Sequence, residues 1–330
     1  NGSGNILDIY KLYLAINGRT IYSQKRDFYS PDHTRYINAH RDYEAKVSLH
    51  KNFQRLFVLP NNKLAFYDIL DNNGIVNMNF GDSLNMQVTA IDFFKNQVDL
   101  KFLLQYFDLA DSLIPQDTDT NFKKIFYFDR PNIFKTDDIE LSFPEFSFYE
   151  DIKFHHSMRD GRSNMYSDIH TIHNYKVAVQ YYYTIRINAE KLPKEYQPKA
   201  LIAQIGANDS YWTIGGEYQN GFVVAKSREF ADYAIMVDTI APVIQTLNFW
   251  NNSNLTWKKD MRVSMYDRLS GIESYRASID GKWILMEYDK KRKLLIHTFD
   301  NRADGKEHYF KLLVTDKKEN TREINIKFIR

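Results

Sequence analysis

The chain has 330 residues, 44 basic and 42 acidic side chains, a formal net charge of +2 and no cysteine. Without cysteine there is no disulfide, no Cys-ligated zinc, no thiol nucleophile and no lipidated cysteine within these residues. Its one basic run, residues 290–293, follows Asp289 and reads as a solvated turn, so no surface for nucleic acid is expected, and no stretch approaches the ~18 apolar residues of a membrane-spanning helix.

The length exceeds what one core supports, so two or three domains are expected. With 23 Tyr and 23 Phe, the composition favours pleated, half-buried surfaces. In chain order, Ser3-Gly4 leads into an alternating stretch at 10–16, then Asn17-Gly18 and a second stretch at 19–21. Asn-Gly between such stretches signals a tight hairpin, because both central residues need φ > 0. The unit closes with Ala90-Ile91-Asp92, three residues, and Asn96. Between hairpin and closure lies a long insertion with turn clusters at Pro60-Asn61-Asn62 and Asp71-Asn72-Asn73-Gly74, and with one short helix at most.

The segment 105–237 has a different pattern. Strands are expected at 123–128, 139–143, 181–187 and 201–205, then a Gly215-Gly216 turn and a strand at 221–225. With no long helical pattern between them, they suggest a sandwich. Pro242, which fixes φ and lacks a donor, suits a domain entry after Asp238-Thr239-Ile240-Ala241. The third unit then repeats the first: Ser270-Gly271-Ile272, an alternating stretch at 275–279, Asp280-Gly281, Lys282-Trp283-Ile284, and closure through Asp316 and Asn320. Ahead of its Ser-Gly this copy has residues 242–269, whereas the first copy has two residues. The first unit is therefore expected to lack its opening strands, and the chain to be a cut piece of something longer.

Residues 238–244 followed by Ser270-Gly271-Ile272 resemble the opening of bacterial Ig-like domains. The stretches 35–44, 228–233 and Ile279-Asp280-Gly281-Lys282-Trp283-Ile284 resemble the region that follows the catalytic domain in Bacteroidetes M23-family (LytM-like) metallopeptidases. The resemblance implies an all-β chain of tandem Ig-like sandwiches: an incomplete one over 1–104, a β-rich sandwich-like unit over 105–237 and a complete one over 238–330. It implies a non-catalytic accessory region of a cell-envelope zinc peptidase acting on peptidoglycan, with the peptidase and its zinc upstream of residue 1. The location would be periplasmic, outer-membrane-associated or secreted, and the partners peptidoglycan or envelope proteins. The family's zinc pattern needs a His, three residues, an Asp among glycines and a later His-x-His. The only His-x3-Asp is His156 to Asp160, and no His-x-His occurs, so no catalytic, cofactor or metal residue is carried over. The alternative is a binding or scaffold subunit of an envelope assembly without peptidase activity; a zinc-ligand set upstream would separate the two.

Several constellations have two readings. His155-His156 and His170-x-x-His173, near Asp160 and Asp168, could bind zinc or make ordinary hydrogen bonds. Arg35, Asp42 and Glu44 with Tyr36 and Tyr43 could form a sugar- or peptide-binding surface, or an internal ion pair and tyrosine bonds anchoring the insertion. Tyr211, Trp212 and Tyr218, around Gly215-Gly216, could stack on a ligand such as a glycan or pack a sandwich edge. Asp267 and Asp316 could hold calcium, although the Asp92…Asn96 spacing matches Asp316…Asn320 and suggests a turn device. Asp82-Ser83-Leu84, Asp111-Ser112-Leu113 and Asp238-Thr239-Ile240 resemble an O-glycosylation motif of Bacteroidetes envelope proteins, making Ser83, Ser112 and Thr239 candidate acceptors.

Overall fold

Asn17 and Gly18 take φ of +48° and +83°, and Asp280 and Gly281 take +50° and +76°, the left-handed values that a two-residue hairpin turn demands. These are features of a computed structural model that describes residues 9–27, 31–107, 119–300 and 305–330. Ser3-Gly4 and Ser112 lie outside the described residues.

In the first unit, β1 (Lys11–Ile16), β2 (Arg19–Lys25), β3 (Tyr67–Leu70), β4 (Ser83–Ile91) and β5 (Gln97–Gln105) form one antiparallel sheet in the order β3-β2-β1-β4-β5. Its apolar face gathers Leu14, Tyr22 and Met86 under Val58 from the insertion. The insertion carries two short helices, α1 (Ile37–His40) and α2 (Tyr43–Leu49), where the sequence suggests one at most. Helix α2 is set by its ends rather than by an apolar stripe: Asp42 Oδ1 accepts from the Ala45 N–H at 3.0 Å, and His50 closes it at φ +54°. A capping carboxylate of this kind satisfies an orphan donor of the first turn.

The middle unit runs through β6 (Lys124–Phe126), β7 (Asn132–Lys135), β8 (Ile139–Phe143), β9 (Ile152–Phe154), β10 (His156–Arg159), β11 (Ile169–Ile172), β12 (Tyr183–Asn188), β13 (Ala200–Ile205), β14 (Tyr211–Gly215), β15 (Glu217–Gln219), β16 (Phe222–Ser227) and β17 (Asp232–Val237). Two five-stranded sheets, β10-β11-β17-β13-β14 and β15-β16-β12-β8-β7, face each other, with β6-β9 as a ribbon. Strand β12 alternates as a half-buried strand should, sending Tyr183, Ile185 and Ile187 into the core. Aromatic rings fill that core: Phe126 stacks on Phe154 and Phe143 on Tyr183, both at 4.3 Å between centroids. Strand β13 is buried on both faces, its Leu201, Ala203 and Ile205 packing in a second cluster that Leu269 of the next unit joins.

The last unit comprises β18 (Val243–Thr246), β19 (Ser253–Asn254), β20 (Asp260–Tyr266), β21 (Ile272–Ile279), β22 (Lys282–Ile284), β23 (Glu287–Asp289), β24 (Leu294–Thr298), β25 (Glu307–Asp316) and β26 (Thr321–Ile329). Its sheets run β18-β20-β24-β23 and β19-β26-β25-β21-β22. Leaving aside the short β19, these are the A-B-E-D and C′-C-F-G orders of an immunoglobulin-type sandwich. In the first unit, β2-β1-β4-β5 repeats β22-β21-β25-β26 strand for strand. The closing turns agree atom for atom: Asp92 Oδ1 accepts from Asn96 N at 2.9 Å and Oδ2 from Asn96 Nδ2 at 2.7 Å, while Asp316 makes the same bonds to Asn320 at 2.9 and 2.8 Å. The chain is all-β, with tandem Ig-like units, and the described residues of the first unit supply one sheet of the pair.

Candidate functional site

The residues singled out at 35–44 hold the first unit to the middle one. Arg35 donates through Nε to the Val179 carbonyl at 2.9 Å and through Nη2 to the Arg228 carbonyl at 3.0 Å. The sequence suggests a carboxylate partner; two fixed carbonyls serve instead, which suits a guanidinium whose donors form a rigid fork. The Tyr149 hydroxyl lies 2.9 Å from the Arg35 carbonyl and 2.6 Å from Gln180 Oε1. Glu44 pairs with Lys176 at 2.7 Å. Tyr36, Ala39, Leu59 and Phe66 of the insertion share one buried cluster with Tyr149 and Ala178 of the middle unit. Burial there pushes the Tyr36 and Tyr149 phenols well above their ordinary range.

Beside this seam lies a cleft of about 610 Å³, lined by Tyr43 and Val47 of α2 and by Arg159, Tyr175, Gly206 and Asp232. Arg159 pairs with Asp232 at 2.7 Å, and Thr171 Oγ1 donates to the other Asp232 oxygen at 2.7 Å. A Cβ on Gly206 would meet the Trp212 ring at 2.9 Å, so glycine is what lets that indole pack against the backbone at this lining residue. Trp212 and Tyr175 are more than two-fifths exposed. Aromatic faces beside a fixed ion pair can bind a polar ligand with apolar faces. The structure divides the predicted aromatic trio. Tyr211 and Trp212 sit on β14, pairing with Ile205 and Gln204, so they point to opposite faces of their sheet. Tyr218 lies on β15 in the other sheet, packed against the main core.

The histidines form two separate pairs. His156 Nε2 lies 3.3 Å from His170 Nδ1, and His155 stacks on His173 at 5.6 Å between ring centroids. His155 Nε2 also contacts Asp119 at 2.9 Å. Burial, and then the neighbouring imidazole, lowers His170 and His173 to about 4, so both are neutral bases at pH 7. Asp168 pairs instead with Lys191. This arrangement does not fit a zinc ion, which takes three or four ligands around one point.

Among the described residues, the one group of three metal-capable side chains is Asp238, Asp267 and Asp316, whose carboxylate oxygens lie within 4.8 Å of one another. The sequence points to Asp267 and Asp316 for calcium, and places Asp238 at the domain boundary and in the Asp-Thr-Ile motif. Each already accepts backbone donors: Asp238 from Ser270, Asp267 from Leu269 and Gly271, Asp316 from Lys318 and Asn320. Lys318 reaches across to donate to the Gly216 carbonyl at 2.7 Å, Asn320 Nδ2 to the Asp238 carbonyl at 2.9 Å, and Lys199 Nζ to the Lys318 carbonyl. This seam ties the middle unit to the last. Of the candidate acceptors, Ser83 and Thr239 are exposed. No helix among the described residues is long and apolar enough to cross a membrane.

Residues 123–238 match the family described as a Zu5-like domain. No curated protein matches the chain. Solved structures similar to it include the fibronectin(III)-like modules of Clostridium thermocellum CbhA, at 13% identity and TM-score 0.23, covering 45% of this chain and 84% of that one. Another is the Bacteroides ovatus mixed-linkage glucan utilization locus protein SGBP-B in complex with a mixed-linkage heptasaccharide, at 9% identity and TM-score 0.17, covering 97% of this chain and 60% of that one. A third is a 1.5-MDa bacterial ice-binding adhesin, at 9% identity and TM-score 0.17, covering 99% and 88%.

Proposed function

We propose that this chain is a non-catalytic positioning region of a cell-envelope M23-type zinc peptidase acting on peptidoglycan, holding a peptidase domain that lies outside these residues. The observation that carries the reading is the bracing of both junctions by buried and half-buried side chains. Domains joined by a bare linker move independently by default, and a positioning region must not. Arg35 on its two carbonyls, and Lys318 and Asn320 on theirs, remove that freedom. The stretches 35–44, 228–233 and 279–284, which resemble the region behind such peptidases, support the identity of the parent protein. On this reading zinc belongs to the peptidase domain, the location is the periplasm or the outer membrane surface, and exposed Ser83 and Thr239 are open to O-glycosylation.

The test is the intact mass and zinc content of the polypeptide purified from its native source. A product heavier by a domain of roughly 20–30 kDa, with one zinc per chain, is the expected result. A product with the mass of these 330 residues alone and no zinc rejects it. The second reading, a binding or scaffold subunit of an envelope assembly, rests on the aromatic-rimmed cleft. It predicts that the zinc-free chain still co-sediments with purified sacculi or with envelope protein.

A further inference from the structure

Strand β5 is the outer strand of the first sheet, and all nine of its residues are exposed. Val98, Leu100, Phe102 and Leu104 alternate along it and, by register, continue the apolar face of Leu84, Met86, Val88 and Ala90 on β4. Val98 is 66% exposed, Leu100 61% and Phe102 43%. In the last unit the equivalent strand, β26, has Ile324, Ile326 and Phe328 packed on the core, and β19 pairs with its last two residues, Phe328 and Ile329. Strand β5 has neither cover among the described residues. An edge of this length is a template for pairing with another strand.

The hydrogen-bond parity of that edge is fixed. Asp92 N donates to the Asn96 carbonyl and Tyr106 N to the Asp82 carbonyl, both at 3.0 Å, at the two ends of the β4–β5 ladder. Even-numbered residues of β5 therefore bond to β4, and the N–H and C=O groups of residues 97, 99, 101, 103 and 105 face outward. A second β5 running antiparallel must pair odd residues with odd ones, so the possible registers step by two. Centred on Lys101, Lys101 would oppose Lys101; centred on Asp99, Asp99 would oppose Asp99. Centred on Leu100, Asp99 opposes Lys101 twice, once on each side of the two-fold axis. The apolar face then runs unbroken, with Leu100 against Leu100 and Val98 against Phe102. Like charges directly opposite oppose pairing and unlike charges favour it.

We infer that two copies of this chain associate through β5, antiparallel and centred on Leu100, to form a continuous ten-stranded sheet with an isologous interface. In such an interface each contact is made twice, so a charge change acts twice.

Sedimentation equilibrium of the 330-residue chain tests this, with circular dichroism to establish folding of each variant. The expected result is a concentration-dependent dimer. Asp99→Lys alone sets two ammonium groups against each other across the axis, and Lys101→Asp alone sets two carboxylates against each other; each should weaken the dimer at least about ten-fold. An equimolar mixture of the two single variants should form a heterodimer, because all four facing charges are then opposite, and the double variant should dimerise as the parent does. A monomer at all concentrations overturns the inference. So does self-association that the single variants leave unchanged, or a monomer whose β5 amides resist hydrogen exchange because another segment covers them.

Discussion

The first and last units share four strands, a hairpin turn and a closing Asp–Asn device, yet their equivalent faces have different fates. Phe328 on β26 is 1% exposed because the sheet β18-β20-β24-β23 lies across it. At the same position Leu104 on β5 meets no second sheet among the described residues, and the cluster around Val58 of the insertion ends on β4, at Leu84, Met86 and Val88. Sheet topology and turn chemistry are the same in the two units. Burial is not local: it needs the partner sheet.

Truncation of a core ring is the strongest way to sharpen that contrast. Phe310, fully buried in the last unit and 5.5 Å from the Phe249 ring, should cost about 3–5 kcal/mol as Phe310→Ala. Phe102→Ala, nearly half in water on the outer strand of the first unit, should cost under ~1 kcal/mol. Denaturant melts of the two variants give the comparison, and equal losses would mean that β5 is covered in solution. Acid offers a second separation, because the middle unit holds the paired histidines. His170 and His173 stay neutral down to about pH 4 when folded, whereas an unfolded imidazole takes its proton near pH 6.5. The stabilisation is thus complete above pH 6.5 and falls as pH drops towards 4, by up to roughly 2–3 kcal/mol per histidine. Melts between pH 7.5 and 4.5 should show the middle unit losing stability, and His170→Phe should flatten the slope. The smallest contrast lies in the closing turns. Asp316 is buried with three donors on its carboxylate, so Asp316→Ala should cost about 2 kcal/mol through orphaned N–H groups. Asp92→Ala, at the exposed copy, should lower the melting temperature much less.

These differences also mark what could be read in advance. The Asn17-Gly18 and Asp280-Gly281 turns, the paired closing devices and strand β8 are written in neighbouring residues, and residues 139–143 form the strand expected there. Helices α1 and α2, of four and seven residues, are too short to show a periodic stripe. The separation of Tyr218 from Tyr211 and Trp212 depends on which sheet each strand joins, a choice made by partners far along the chain. Arg35 shows the same limit: its acceptors lie 144 and 193 residues away, and a carbonyl acceptor leaves no trace in residue type. Nor does spacing reveal that Asp238 meets Asp267 and Asp316, since two loops and the end of β25 must first converge.

One consequence follows from the way Asp238 is held. Its side chain accepts from Ser270 and its carbonyl from Asn320, so the residue that would serve as a pivot is stitched into the unit it leads to. Across a floppy tether, two bound partners meet at an effective concentration that falls with tether length. For the proposed positioning role this joint would act as a calliper: span, rather than concentration, would set which pairs of targets its two ends reach together.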